Sequence, residues 1–217
     1  MATVSSNTVV RNGMPFIGKV LRQVAPIVDE LIVTISDKSD DGTIKEVSRV
    51  FEEFPGKVFV DFESGGPGEL TQVQQAQADR SKGEWILFLS DDDFWPQEEL
   101  KKCIAELDKV RDILAYSVNP YQLIDFATHD DSWRNKSFSK FLRKEGMRYI
   151  GTWPRELPCD NHGKPLYWKS HAQVQRLPYR FYHLSYLKEY SFRNEEWAKA
   201  FRMRQGKPVK LVNPISL

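Results

Sequence analysis

The chain has 217 residues, 41% hydrophobic and 28% charged, with a formal net charge of +1. This length fits a single α/β domain with a short extension and can bury a large core. Its longest apolar run, the five residues Trp85 to Leu89, falls far short of the ~20 needed to span a bilayer, so no transmembrane segment is expected. Met1 to Ser6 carries neither the basic nor the apolar part of a secretory leader. Two cysteines, Cys103 and Cys159, are too few for a disulfide framework and are expected as reduced thiols. The expected location is the cytoplasm. The net charge hides an asymmetry: residues 1–125 hold 13 Lys and Arg against 22 Asp and Glu, whereas residues 126–217 hold 18 against 8. An acidic first half suits a metal site, and a basic second half suits an anionic ligand or a membrane surface, although solvated faces also differ in charge by chance.

In chain order, Val4 to Val10 is rich in β-branched residues and reads as a first strand. Asn12-Gly13 breaks it, and Pro15 suits the first turn of a helix. Phe16, Ile17, Val20, Leu21 and Val24 then recur at helical spacing until Pro26. Leu31 to Ile35 is a continuous apolar run, as for a strand covered on both faces, and it leads into the polar loop Ser36 to Thr43. Ile44, Val47, Val50, Phe51 and Phe54 predict a second amphipathic helix, closed by Pro55-Gly56. A third strand is predicted over Lys57 to Phe62, followed by a flexible loop from Ser64 to Gly68. The Gln-rich stretch from Glu69 to Ser81 is expected to be helical, with Leu70, Val73 and Ala76 inward. Trp85 to Leu89, the most apolar strand, is expected at the centre of the sheet and runs into Asp91-Asp92-Asp93. Pro96 opens a helix with Leu100, Cys103, Ile104 and Leu107 on one face. Strands alternating with helices in this way predict βαβ units and a mostly parallel sheet. Beyond residue 112 the pattern loosens. Ile113 to Val118 reads as a strand, residues 127–180 resist assignment with Cys159 in a Pro-rich loop, and Asn194-Glu195-Glu196 reads as the start of a last helix.

Ligands of open α/β sheets bind beyond the carboxyl ends of the strands, where two polar clusters fall, Ser36 to Thr43 and Ser90 to Asp93. Three consecutive aspartates after a buried strand are costly unless a cation lies among them. They suggest Mg²⁺ or Mn²⁺, held by one or two side chains with substrate phosphates filling the remaining positions. The other reading is a solvated turn in which Ser90 or Asp93 caps the helix begun at Pro96. Asp40 to Thr43 has a plain helix-capping reading too, and for Asp41 alone it is the better one.

Four separated blocks, in order, carry a family resemblance: Asn12 with Phe16-Ile17, then Val28 to Val33, then Ser39-Asp40-Asp41-Gly42-Thr43, then Gly83 to Asp93 with Trp95-Pro96. Together they resemble a family 2 glycosyltransferase of the GT-A fold, well over residues 3–110 and more thinly over residues 111–190. The resemblance implies a Rossmann-like, mostly parallel central sheet flanked by helices. Residues 1–112 would form the nucleotide-sugar-binding half, and residues 113–217 a less regular acceptor-binding half of the same domain. It implies inverting transfer of a hexosyl-type sugar from a UDP- or GDP-sugar to an unknown acceptor hydroxyl, with Mn²⁺ or Mg²⁺ as cofactor.

Site residues follow by the same resemblance. Asp91-Asp92-Asp93 looks like the family's Asp-x-Asp element, which makes Asp92 the metal ligand, Asp93 its support and Asp91 a contact to the donor ribose. Val9, Val10 and Arg11 fall where the family's first strand meets base and ribose. The Asp that usually ends the second strand is Ser36 here, so Asp37 is expected to take the base contact, with Asp41 in the same donor-binding loop. Where many relatives place Arg-Asn before the donor phosphates, this chain has the neutral Gln74-Gln75, and Gln74 is the expected donor contact. Tyr149 to Glu156 resembles the segment ending in the acceptor-activating carboxylate, so Glu156 is the expected general base; its alternative is a surface Glu paired with Arg155. Tyr182-His183-Leu184-Ser185-Tyr186 resembles the family's late His, placing His183 at the metal with His171 as competitor, while His129 and His162 are read as surface residues. Arg155, Arg176 or Arg180 would add positive charge at the departing diphosphate.

Rival readings remain. A nucleotidyltransferase would lean on a Gly- and Lys/Arg-rich phosphate loop after the first strand, where only Arg11-Asn12-Gly13 stands. A nucleotide-sugar-binding module of the same fold without turnover is kept open by Ser36 and Gln74-Gln75. Trp133, Trp153 and Trp168 could stack on nucleic acid, but no nucleic-acid motif accompanies them, and an aromatic core or sugar-stacking surface is favoured.

Overall fold

The computed structural model describes residues 2–64, 69–123, 128–130, 136–151, 157–185, 187 and 209–211. The chain opens as predicted with β1 (Val4–Val10), α1 (Ile17–Val24), β2 (Glu30–Ser36), α2 (Thr43–Glu53), β3 (Val58–Glu63), α3 (Leu70–Arg80) and β4 (Trp85–Phe88). A short strand, β5 (Asp93–Phe94), precedes α4 (Gln97–Glu106). The strand predicted over Ile113 to Val118 is β6 (Ala115–Gln122); in the region that resisted assignment the elements among the described residues are the strands β7 (Thr128–Asp130), β8 (Phe138–Arg143), β9 (Met147–Ile150), β10 (Leu157–Asp160) and β11 (Val174–His183), and β12 (Val209–Leu211) follows.

β3, β2, β1 and β4 are parallel neighbours in that order. Parallel neighbours need a crossover connection, which α1, α2 and α3 provide. The chain winds outward from β1 to β3, then returns to lay β4 on the free side of β1, so the strand order reverses between β1 and β4. At such a reversal a crevice opens beyond the carboxyl ends. The sheet continues from β4 to an antiparallel β8, then β6, then β11 parallel to β6, with β5 antiparallel at the edge. One eight-stranded sheet therefore spans both halves of the chain, with β4 in its interior as its apolar sequence predicts.

The core divides by sheet face. On one, Ile17, Val20 and Leu21 of α1, Val47 and Val50 of α2, and Leu100 and Cys103 of α4 pack with Val33, Leu87 and Phe181. On the other, Ala78 of α3 packs with Ile86, Leu142, Met147, Tyr149 and Leu166 beneath the antiparallel β9–β10 pair. Each such large side chain, fully buried, contributes ~1.5–3 kcal/mol.

The inward face of α3 is not the expected one. Gln74, Gln77 and Ala78 are buried, Leu70 and Val73 only partly so, and Ala76 is exposed. The reason lies in the strands beneath, which present polar groups. Gln77 Nε2 donates to Thr8 O and to Thr34 Oγ1, each at 2.8 Å, and Asn7 Nδ2 donates to Ser81 Oγ at 3.1 Å. A polar sheet face selects a helix by hydrogen-bond satisfaction, so apolar periodicity points the wrong way. Two further expectations are corrected. Cys159 lies within β10, not a loop, and His129 is buried edge-on against Tyr121, ring centroids 5.1 Å apart, not on the surface. Both cysteines are free and buried. The helix expected from Asn194 and the centre of the Ser64–Gly68 loop lie outside the described residues. No helix among the described residues is long and apolar enough to cross a membrane.

Candidate active site

Turns build the first wall of the crevice. After β1, Asn12 takes the left-handed conformation (φ 56°), which Asn tolerates better than most residues, and its Oδ1 accepts from Asp40 N at 3.0 Å. Gly13 N donates to Thr43 Oγ1 at 2.7 Å. A Cβ on Gly13 would stand 2.6 Å from Val10 Cγ2 and 3.3 Å from an Asp91 carboxylate oxygen, so only glycine lets this turn close on the acid turn. Asp41 locks the same corner by accepting from Met14 N at 2.9 Å, Thr43 N at 3.0 Å and Thr43 Oγ1 at 2.6 Å. Partial burial works against its ionised form, but the bonds from Thr43 and Met14 outweigh it and lower its pKa. Val10 is buried at this corner, while Arg11 and Asp37 are exposed.

The acid turn follows β4. Asp93 is fully buried. Its Oδ2 accepts from Ser90 N at 3.1 Å and pairs with Lys140 Nζ, and its Oδ1 lies 2.9 Å from His183 Nδ1. Burial would raise the Asp93 pKa, but the Lys140 ammonium and His183 hold it at about 2. A buried charge persists only when paired and hydrogen-bonded in this way. Lys140 comes from β8 and is itself buried, its ammonium flanked by the rings of Phe88 and Phe181, each 5.0 Å away.

β11 delivers His183, because its register sets His183 opposite Asp93 of β5. Gln122 Nε2 donates to His183 O at 3.3 Å and to Ser185 Oγ at 3.1 Å, and Leu184 N donates to Asp92 O at 2.8 Å, so the strand end and the acid turn are bonded to each other. Burial disfavours the charged imidazole, but Asp92 and Asp93 together raise its pKa. Asp92 Oδ1 is 3.6 Å from His183 Nδ1. Ligand atoms of Asp92, Asp93 and His183 all lie within 4.8 Å of one another, and two carboxylates with an imidazole suit Mn²⁺ or Mg²⁺. Asp93 is committed to three protein donors, whereas Asp92 and Asp91 are partly exposed.

Sequence reasoning missed Lys140. Its only signal is the requirement stated for the three aspartates, a cation among them, which Lys140 meets for Asp93. Gln74 is buried on α3, and Gln75 ties α3 to β9, accepting from Tyr149 N at 2.8 Å and donating to Asp79 Oδ1 at 2.7 Å. His171 pairs instead with Asp160 of β10, Nε2 to Oδ2 3.1 Å. Arg176 lies over Trp168 at 4.8 Å and Arg180 over Tyr121 at 4.5 Å. Glu156 and Arg155 lie outside the described residues.

No curated protein matches the chain significantly. Among solved structures, S. aureus TarS 1–349 superposes with a TM-score of 0.51 at 17% identity, covering 65% of this chain and 47% of that one. The same fragment in complex with UDP-GlcNAc gives 0.51 at 18% identity, covering 65% and 45%. The chain thus spans less than half the length of these TarS structures. At that identity the likeness speaks for the fold, which is GT-A. The family model described as "Glycosyl transferase family 2" matches residues 9–174, a span that runs through both carboxylate turns and Lys140 to the first residue of β11. With most of its length matched, the chain belongs to glycosyl transferase family 2.

Proposed function

We propose that this domain is a metal-dependent, inverting glycosyltransferase that moves a hexosyl-type sugar from a nucleoside-diphosphate sugar to an acceptor hydroxyl. The observation that carries the reading is the cluster of Asp92, Asp93 and His183 at the end of β4, beside the strand-order reversal, in a family 2 domain. TarS bound to UDP-GlcNAc supports a donor of the same kind. Base and ribose lie against the β1 and β2 loops, with Val10, Arg11 and Asp37 as contacts and Asp91 towards the ribose. Asp41 acts by holding those loops together. Gln74 faces the donor from α3.

Asp92 and His183 would hold the Mn²⁺ or Mg²⁺ ion, with Asp93 behind them. Paired with His183 Nδ1, Asp93 would orient the imidazole beside the ion. The bound ion supplies Lewis-acid neutralisation of the departing diphosphate. Glu156, which immediately precedes Leu157 of β10, takes the acceptor hydroxyl's proton. The acceptor oxygen then bonds to the anomeric carbon as the bond to the diphosphate oxygen breaks on the opposite side, which inverts the centre.

Thermal shift and nucleotide release together test this. A UDP- or GDP-sugar with Mn²⁺ raises the melting temperature by mass action, and Asp92→Asn removes the Mn²⁺-dependent part. Glu156→Gln keeps the shift and lowers turnover ~10²–10⁴-fold, the usual worth of a general base. Unchanged Mn²⁺-dependent turnover in Asp92→Asn would dispose of the metal assignment. A shift without any release of nucleoside diphosphate would make the domain a binding module.

A further inference from the structure

Two irregularities of the sheet meet at one residue, Ser117 of β6. On one side of β6, β8 pairs Phe141 with Tyr116 but Ser139 with Ser117, so Lys140 has no partner on β6 and is the extra residue of a bulge. On the other side, β11 pairs Arg176 with Ser117 but Arg180 with Asn119, so Leu177, Pro178 and Tyr179 stand against Val118 alone, two residues more than a regular ladder holds. An extra residue bends its strand and sharpens the local twist, and bulges of this kind recur beside active sites, where they re-aim side chains.

The first consequence is local. Neighbouring side chains of a regular strand face opposite ways, yet Lys140 and Phe141 reach one cluster. Phe141 meets Trp95 edge-on at 5.8 Å, Trp95 stacks on Phe181 at 4.9 Å, and Lys140 Nζ lies 5.0 Å from the Phe181 ring. The second consequence is long-range. β6 and β11 stand between β8 and β5 in the sheet, and in a flat sheet, at ~4.8 Å per strand, β8 and β5 would lie ~14 Å apart. Lys140 of β8 nevertheless bonds to Asp93 of β5. The sheet must curl between them, and both bulges fall within that stretch.

Side chains fasten each bulge. Ser117 is fully buried, its Oγ 3.1 Å from Ser139 Oγ, and Ser139 Oγ donates to Leu166 O. On β11, Leu177 enters the core and Tyr179 OH donates to Glu106 Oε1 of α4 at 3.2 Å. Pro178, exposed between them, has no N–H to give a ladder.

We infer that the paired bulges are a positioning device for the candidate metal site, an inference that rests on the metal-dependent reading above. They curl the sheet until Lys140 and His183 close on Asp93. Ser139 and Tyr179 are positioning residues that act on the site through those two side chains.

The β11 register supplies a clean test. In a chain lacking Pro178 and Tyr179, an unbroken ladder from Arg176 still brings His183 opposite Gln122, so the deletion removes the bend and keeps the alignment. The full chain with that deletion should unfold cooperatively in urea and bind metal-free UDP or GDP as the wild type does. Its Mn²⁺-dependent binding of the same nucleotide should weaken roughly 10–100-fold, as loss of support behind metal ligands does. Tyr179→Phe should weaken that binding up to roughly fivefold, one hydrogen bond's worth. Ser139→Ala should act in the same direction, and Ser139→Thr should restore it. The urea midpoint shift of Ser139→Ala should largely vanish in a Lys140→Met background, since the hydroxyl then has no ammonium to place. Undiminished Mn²⁺-dependent binding in the folded deletion overturns the inference. If the deletion does not fold, Tyr179→Phe and Ser139→Ala decide: lower melting temperatures with unchanged Mn²⁺-dependent binding make the bulges structural only. A wild-type chain that binds neither nucleotide with Mn²⁺ removes the metal-dependent reading instead. The placing of Lys140 is then judged by the urea comparison, where an equal Ser139→Ala shift in both backgrounds overturns it and a vanished shift supports it.

Discussion

The two halves of the eight-stranded sheet obey different rules. In β3-β2-β1-β4 every pairing is parallel and joins strands of one strand–helix series, and the turns at its carboxyl end carry the carboxylates. In β8-β6-β11-β5 the pairings are mixed and join distant segments, as when Asp93 meets His183. Along the chain, the acid comes from the turn that follows β4 and the bases from the later strands β8 and β11: Lys140 and His183 both close on Asp93. The opposed charges of the two halves of the chain are thus partly brought into contact at the site. The candidate active site exists only when both halves are in place.

Separating Lys140 from Asp93 should cause the largest loss. Lys140→Met leaves a buried carboxylate uncompensated and is expected to cost ~3–5 kcal/mol in urea unfolding. The double variant with Asp93→Asn should recover a good part of that, and if it does not, the contact between the halves is not electrostatic.

pH probes the same contact without mutation. The Asp93 pKa is depressed to about 2, so its contribution is present above the unfolded value of about 3.9 and fades as pH falls through about 2. The His183 pKa is raised, so its contribution is complete below about 6.5 and fades as pH rises through its folded value. Stability should therefore crest between about pH 4 and 6.5. The crest should flatten in the Lys140→Met, Asp93→Asn double variant, as urea midpoints across pH would record.

Within the parallel half the expected effects are smaller and steric. Gly13→Ala forces a Cβ against Val10 and Ile17 and should cost ~1–3 kcal/mol, as overpacking does. Because the turn also faces Asp91, Mn²⁺-dependent nucleotide binding should weaken along with the melting temperature. Smallest of all is Arg22→Ala. Arg22 bridges α1 and α2 through Glu46 at 2.7 Å and Glu53 at 2.6 Å while remaining partly exposed, and such pairs are worth ~0–1 kcal/mol. A loss comparable to that of Lys140→Met would erase the contrast between a solvated ion pair and a buried one.

How far the site could be read in advance follows the same division. Asp91-Asp92-Asp93 and the Ser36–Thr43 loop announce themselves because polar residues directly follow apolar strands, and strand ends are where an α/β sheet binds ligands. Lys140 gives no such sign. It is a single lysine in the segment Phe138-Ser139-Lys140-Phe141-Leu142, and nothing local says that it points inward. The glutamines of α3 mislead for a related reason: their partners are Thr8 and Thr34 on other strands.

By itself the sequence determined the strand–helix alternation through α4, the interior place of Trp85 to Phe88, and the pairing of a carboxylate cluster with a strand end. Local periodicity suffices for these, because each element must bury one face whatever it packs against. Tertiary structure alone decided that Lys140 answers Asp93, which face of α3 turns inward, and the register by which β11 sets His183, expected at the metal from the family resemblance, opposite Asp93. Those outcomes depend on register between segments far apart in the chain, and a side chain's period along its own strand carries no information about the neighbour it will meet.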